Sequence, residues 1–210
     1  MDISLAAFQI VVLIFSAVIH EVSHGFMAER LGDPTARLAG RLTLNPLKHL
    51  DLYGSFLLPL LLYYASGGAF VFGYAKPVPY NPYNLKDPEK GAAMIAAAGP
   101  LSNFGIAIGF TVVYHLLGFA AGGTFAILRD LIGIIVLINI VLAIFNLVPI
   151  PPLDGAKVMT ALLPDSSAGF KHIFRENNPY GWVFLIVFIF IGMPFLSPII
   201  YGIAHFLLGI

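Results

Sequence analysis

The side chains best suited to chemistry lie near the start of the chain, where His20, Glu21 and His24 form the pattern His-Glu-x-x-His. If residues 3–30 form a helix, the two histidines are four residues apart and share one face. Two imidazoles placed in this way can share a metal ion, and Glu21 can activate a water bound to that ion. The alternative is a chance histidine pair at the surface of a helix bundle. Ionisable groups are expensive inside an apolar run, so the motif predicts a metal site.

The composition indicates that these residues belong to an integral membrane protein. The chain has 210 residues, of which 59% are hydrophobic and only 10% charged, whereas soluble domains average about 25% charged residues. The formal net charge is zero, and no basic block suggests nucleic acid as a partner. Cysteine is absent, so a metal must be held by His, Asp or Glu. We expect one membrane domain over residues 1–210, surrounded by lipid bilayer, and no feature of the sequence indicates its oligomeric state.

Long apolar runs predict an all-α polytopic fold with a three-helix catalytic core. Three runs are long enough to cross the roughly 30 Å hydrocarbon core as helices: residues 3–30, 91–117 and 125–148. The first is expected to be a retained span and not a cleaved signal, because no positive region precedes it. Two shorter runs, 182–192 and 195–208, predict two C-terminal transmembrane helices or a kinked pair. On this assignment the core covers about residues 3–165 and the C-terminal helices about residues 178–210.

Two smaller features complete the expected architecture. Residues 39–44 and 74–78 are predicted to form short strands, which together give a small membrane-associated β element. Residues 54–72 contain an apolar stretch that is too short to cross comfortably, and Ser66-Gly67-Gly68 supplies a turn. We therefore expect residues 54–72 to be re-entrant and to leave the membrane on the side from which they entered.

The distribution of basic residues supports this topology. If residues 54–72 are re-entrant, all of the eleven Lys and Arg residues except Arg129 fall on one side of the membrane, whereas a full crossing divides them almost evenly. The positive-inside rule favours the uneven distribution. We expect a multi-pass protein of the cell membrane with its N-terminus outside and its site opening toward the cytoplasm.

A catalytic zinc usually keeps three protein ligands and one open position, so the two histidines need a partner. Asp154 is the strongest candidate, because it follows an apolar span interrupted by three prolines, and broken backbone at membrane depth is tolerated where it lines a cavity. Alternatively, Asp154 caps a helix that begins at Ala156. Asn146, near the end of the same span, can donate its amide to a developing oxyanion.

Asn103 is a polar residue inside the second long apolar run. Two roles are open at this point. Its side chain can face a cavity and bind the backbone of a substrate, or it can join helices through hydrogen bonds, as asparagine often does in membranes.

With these residues assembled, the chain resembles the site-2 protease family of intramembrane zinc metalloproteases, peptidase family M50. The resemblance covers about residues 3–165. The matching motifs are His20-Glu21-x-x-His24, Gly99-Pro100-x-x-Asn103 and Asn146-x-x-Pro149-x-Pro151-Pro152-x-Asp154-Gly155.

The resemblance implies that one zinc ion is bound by His20, His24 and Asp154. It implies that Glu21 is the general base and that Asn146 aids the transition state. Family substrates are membrane-spanning or membrane-inserted proteins. We therefore expect an intramembrane zinc metalloendopeptidase whose predicted strands pair with an unwound substrate.

Two other functions compete with this interpretation. A metal or small-solute transporter could use the same ligands, but it has no need of Glu21 beside the metal, and the chain shows no inverted repeat. An inactive substrate-binding relative is the other possibility, and it is disfavoured because all four metal-site residues are present.

Overall fold

The computed structural model describes residues 3–65, 73–118, 123–175 and 178–209. Within these residues the regular structure is helical. The α-helices, in chain order, are α1 (Ile3–Arg30), α2 (Thr35–Leu38), α3 (Leu58–Ala65), α4 (Pro88–Gly118), α5 (Gly123–Asn146), α6 (Asp154–Leu162), α7 (Ala168–Phe174), α8 (Gly181–Val187) and α9 (Met193–Leu208).

Four of the described helical segments are long and apolar enough to cross a membrane: α1, α4, α5 and the continuous segment Gly181–Leu208. The first three coincide with the predicted apolar runs to within three residues. Helix α4 is central among them, since it packs against α1, α5 and α6. The core between α4 and α5 includes Ala107, Val136 and Ile140, all fully buried, and α9 covers it with Ile200 and Ala204.

Of the two arrangements predicted for the C-terminal runs, two separate transmembrane helices are wrong, because α8 and α9 belong to one continuous candidate span, Gly181–Leu208. A π-helical turn, Phe188–Gly192, joins them without a break. Pro194 lies in the first turn of α9. Neither short apolar run would cross a membrane alone, whereas together they have the necessary length.

The predicted β element is also wrong. Residues 39–44 and 74–78 are described, and neither segment forms a strand. The segments still meet, because the Arg41 Nη2 donates to the carbonyl oxygens of Lys76 at 2.6 Å and Pro77 at 3.4 Å. Pro77 has no N–H to donate to the hydrogen bonds of a β-sheet. The Arg41 guanidinium occupies the carbonyl oxygens that a neighbouring strand would need as acceptors.

The apolar stretch after residue 51 begins as a π-helical turn, Leu52–Leu57, and continues as α3. The chain returns to the start of this stretch, where the Tyr74 N–H donates to the Gly54 carbonyl at 3.0 Å and the Ser55 hydroxyl donates to the Tyr74 carbonyl at 2.9 Å. The turn predicted at residues 66–68 lies outside the described residues.

A buried carboxylate fastens the end of α1 to the chain that leads into α4. Asp33 is completely buried and accepts hydrogen bonds from the Thr35 N–H and hydroxyl, the Asn84 Nδ2 at 2.7 Å and the Asn81 N–H at 2.7 Å. Burial alone would raise the pKa of Asp33, but the hydrogen bonds from Thr35, Asn84 and Asn81 outweigh it and hold the pKa below its usual value.

We expect Asp33→Asn to lower the free energy of unfolding at pH 7 by about 2 kcal/mol, because an amide nitrogen would face at least one of these donors. A carboxylate with a lowered folded pKa stabilises the protein above its ordinary pKa of 3.8 and loses that contribution as the pH falls further. The difference between native and variant protein should therefore shrink at pH 3. Denaturant unfolding in detergent at both pH values measures it, with the exposed Asp130→Asn as the control. A difference that does not change with pH would contradict this account of Asp33.

Candidate active site

Helix α1 turns His20 and His24 toward the interior of the bundle, and both side chains are buried. Their rings meet edge to face, with centroids 4.6 Å apart and planes at 89°. One ligand atom from each of His20, Glu21 and His24 lies within 4.8 Å of the other two. The four-residue spacing therefore brings the histidines together as predicted, with the glutamate beside them.

Asp154 reaches the histidines from the proline-broken end of α5. Its Oδ2 lies 3.0 Å from the Nε2 of His20 and 3.2 Å from the Nε2 of His24. Helix α6 begins at Asp154 itself, and Leu153 occupies the cap position without a side-chain cap, so this carboxylate is not the helix cap considered above. At Gly155 an added Cβ would lie 2.2 Å from the Leu147 carbonyl oxygen, so glycine permits α6 to fold against the end of α5.

The second nitrogen of each imidazole is fixed by α4. The Nδ1 of His20 lies 2.7 Å from the Asn103 Oδ1, and the Nδ1 of His24 lies 2.6 Å from the Ile95 carbonyl oxygen. Both partners accept, so each Nδ1 carries the hydrogen and donates it. In a neutral imidazole the other nitrogen then presents a lone pair.

When both imidazoles are neutral, the two Nε2 lone pairs and the Asp154 carboxylate face one another with no hydrogen between them. Three acceptors so placed would repel each other unless a cation, either a metal ion or a proton on one imidazole, lies among them. Two imidazoles and a carboxylate are a donor set that catalytic zinc sites use. The residues present therefore fit a zinc ion, and the partners of Nδ1 are the outer contacts that such histidines usually have.

Gly99 leaves the room that the two rings need. An added Cβ at this position would lie 2.4 Å from the His24 Cε1 and 2.6 Å from the His20 Cε1, well inside van der Waals contact. The glycine between Ile95 and Asn103 on α4 thus allows both rings to approach the helix that orients them.

Glu21 faces a cavity of about 870 Å³ that also borders His20, His24, Asn146 and Asp154. Its Oε2 accepts a hydrogen bond of 2.9 Å from the Val78 N–H. Residues of the segment 73–80 and of α8 and α9 also line this cavity, and among them the rings of Tyr74 and Trp182 lie 5.9 Å apart. A cavity of this size can hold several residues of an extended peptide.

The two predicted asparagines occupy different places. Asn146 lines the cavity, and its Nδ2 donates to the Leu142 carbonyl at 2.9 Å. An amide nitrogen carries two hydrogens, so this bond leaves one for the cavity. Asn103 is completely buried and does not line the cavity, so the structure does not bring it to a substrate and favours its alternative role between helices.

Sequence reasoning missed four contributors: Ser16, Val78, Ile95 and Asn139. Asn139 carried a signal, because it is a polar residue inside an apolar span. Val78 and Ile95 act through main-chain groups, which every residue possesses. Ser16 is a small residue of a type common in membrane helices. The sequence therefore carried no signal that these three residues contribute to the site.

We expect Gly99→Ala to weaken zinc binding by about 10- to 100-fold, the range found when groups that orient metal ligands are changed, because the new methyl group must displace both rings. Gly105→Ala on the same helix is the matched control, since its Cβ would meet nothing within 4 Å. Zinc content and competition with a chelator give the two affinities. Native affinity in Gly99→Ala would show that the rings do not lie against this helix.

The sequence matches the profile of peptidase family M50 over residues 8–126 and 120–192. It is similar to "Putative zinc metalloprotease YwhC" of Bacillus subtilis (strain 168), with 37% identity over 192 residues that cover 89% of this chain and 82% of the relative. It is also similar to "Putative zinc metalloprotease Rip2" of Mycolicibacterium smegmatis, with 29% identity over 187 residues that cover 88% of this chain and 66% of the relative.

A more distant similarity extends to "Zinc metalloprotease MJ0392" of Methanocaldococcus jannaschii, with 26% identity over 153 residues that cover 73% of this chain and 33% of the relative. No solved structure gives a significant match. These matches do not support a transporter. Together with the four apolar helices, they show that the chain belongs to peptidase family M50, the site-2 protease family of membrane zinc metalloproteases.

Proposed function

We propose that this protein is an intramembrane zinc metalloendopeptidase that hydrolyses peptide bonds in membrane-spanning or membrane-inserted proteins. The observation that carries the proposal is the meeting of the His20 and His24 Nε2 atoms with the Asp154 Oδ2 beside Glu21. The histidines belong to a helix long and apolar enough to span the membrane, so the reaction is expected within or close to the bilayer.

His20, His24 and Asp154 would hold the zinc. When bound, zinc polarises the substrate carbonyl and lowers the pKa of water at the open position. The chain supplies the remaining chemistry through the side chains around the cavity.

Glu21 is the proposed general base. It takes a proton from the attacking water and returns it to the leaving amine as the peptide bond breaks. The Val78 N–H engages one oxygen of the carboxylate at 2.9 Å, which limits its rotation and leaves the other oxygen to accept the proton. Glu21 belongs to α1 together with the histidines, so one helix fixes the base relative to two ligands.

Asn146 is the proposed donor to the oxyanion. Its side chain borders the same cavity as Glu21, and the bond to Leu142 holds its amide with one hydrogen remaining. A donor of this kind stabilises the charge that develops on the carbonyl oxygen as water attacks. A substrate helix must unwind first, because its carbonyls are otherwise hydrogen-bonded within the helix.

The proposed topology places the N-terminus outside and the site toward the cytoplasm, with residues 54–72 re-entrant. The hydrogen bonds that Gly54 and Ser55 make with Tyr74 support it, because they hold the start of this segment beside the chain that follows it. A segment that leaves and returns at one place does not change the side on which the chain continues.

Glu21→Gln should reduce cleavage by about 10²- to 10⁴-fold while zinc content stays near that of the native protein, because only the proton acceptor is lost. His20→Ala should lose both zinc and activity. The assay follows cleavage of a tagged single-span protein in detergent or liposomes. Glu29→Gln is the control, because Glu29 lies on the same helix but pairs with Arg37. Equal processing by native protein and Glu21→Gln would contradict the proposed function.

The natural absence of cysteine permits a direct test of topology, since any introduced cysteine is unique. A membrane-impermeant maleimide applied to intact cells should label Gly123→Cys but not Lys48→Cys or Lys86→Cys. After permeabilisation, all three should react. If Lys48→Cys and Lys86→Cys are labelled from opposite sides, residues 54–72 cross the membrane completely.

A further inference from the structure

Three polar side chains are buried in the bundle away from the cavity: Ser16 on α1, Asn103 on α4 and Asn139 on α5. Both asparagines are 0% exposed and Ser16 is 4% exposed. None of them borders the cavity that contains Glu21. Buried polar groups in apolar helices are costly unless each is paired, so their partners indicate what they do.

The three side chains form a connected network that ends at His20. The Asn139 Nδ2 donates to the Ser16 hydroxyl at 3.0 Å and to the Ile135 carbonyl at 2.9 Å. The Asn103 Nδ2 donates to the Asn139 Oδ1 at 2.9 Å and to the Ser16 carbonyl at 3.3 Å. The Asn103 Oδ1 then accepts from the His20 Nδ1 at 2.7 Å.

The direction of this network is fixed by its two main-chain carbonyls. A carbonyl only accepts, so the carbonyls of Ile135 and Ser16 require the Nδ2 of each asparagine to face them. If Asn103 were flipped, its Oδ1 would face the Ser16 carbonyl. The observed orientation therefore leaves the Asn103 Oδ1 toward His20, and the His20 Nδ1 must be the donor.

We propose that Asn103 and Asn139, together with Ser16, are positioning residues for His20. This inference rests on the proposed function. By fixing which nitrogen of His20 carries the hydrogen, the network leaves the Nε2 lone pair toward Asp154, where zinc would bind. The Ile95 carbonyl places the hydrogen of His24 on Nδ1 in the same way. A main-chain carbonyl can only accept, so no further side chain is needed to fix its direction. Only His20 depends on side chains for this purpose.

Zinc affinity of purified protein, measured by competition with a chelator, tests the network directly. Asn103→Leu should weaken binding by about 10- to 100-fold, and Asn139→Leu by a smaller factor of about 3 to 10, since it acts through Asn103.

Thr111→Val is the matched control, since Thr111 is a buried residue of α4 whose hydroxyl donates to Ala107 in its own helix. It should bind zinc like the native protein. The visible absorption of bound Co²⁺ gives a second readout, which should change in Asn103→Leu and not in Thr111→Val. A purely structural role for Asn103 would lower stability without changing that spectrum.

The possible failures are distinguishable. If the native protein and His20→Ala bind zinc equally well, the proposed function fails. If His20→Ala loses zinc while Asn103→Leu stays within twofold of native affinity, the positioning role is overturned and the proposed function remains. Should Asn103→Leu not fold, native affinity and an unchanged Co²⁺ spectrum in Asn139→Leu would equally overturn the positioning role.

Discussion

The Asp154 Oδ2 lies 3.0 Å from the Nε2 of His20 and 3.2 Å from the Nε2 of His24 in the interior of an apolar bundle. With both imidazoles neutral and their hydrogens on Nδ1, these three acceptors would repel one another until a cation, either a metal ion or a proton, lies among them. The surrounding structure is therefore required to hold the three side chains in place. Much of the packing of α1, α4 and the start of α6 follows from this requirement.

Two rows of residues on facing helices, with the same four-residue spacing, meet this requirement. Helix α1 contributes Ser16, His20 and His24, and helix α4 contributes Ile95, Gly99 and Asn103, each at steps of four residues along one helix face. The helices run in opposite directions, since Ser16 contacts Asn103 and His24 contacts Ile95. One packing register thus brings both imidazoles to their acceptors at once, and a slip of either helix would separate both pairs together.

This register explains which parts of the site could be read from the sequence. The His20, Glu21 and His24 spacing is local to one helix, and Asp154 was marked by the prolines before it, so both were predictable. Gly99 could be recognised only as a small residue, because the rings that need its space come from a helix about 75 residues earlier in the chain. Ile95 contributes a main-chain carbonyl, which every residue possesses. Asn103 had two open roles until its neighbours were known.

The errors in the fold have an equally physical origin. Residues 74–78 have a local pattern typical of a strand, but pairing depends on free donors and acceptors, and there Pro77 and Arg41 remove them. The C-terminal runs were predicted as separate helices because prolines follow residue 192. A π-helical turn at Phe188–Gly192 nevertheless joins α8 to α9, and Pro194 lies in the first turn of α9, where a proline is tolerated. Apolar length, by contrast, is set by the bilayer, so α1, α4 and α5 were predicted closely.

The cavity walls differ in how firmly they are tied to the proposed ligands. On one side, α1, α4 and α5 are joined to His20 and His24 by buried hydrogen bonds, so movement there would disturb the proposed metal site. On the other side, residues 73–80 contact the proposed base through the hydrogen bond from the Val78 N–H to Glu21. Helix α9, by contrast, packs into the core of α4 and α5 through Ile200 and Ala204. Among the described parts of the cavity lining, residues 73–80 are therefore joined less firmly to the proposed ligands than the helices are.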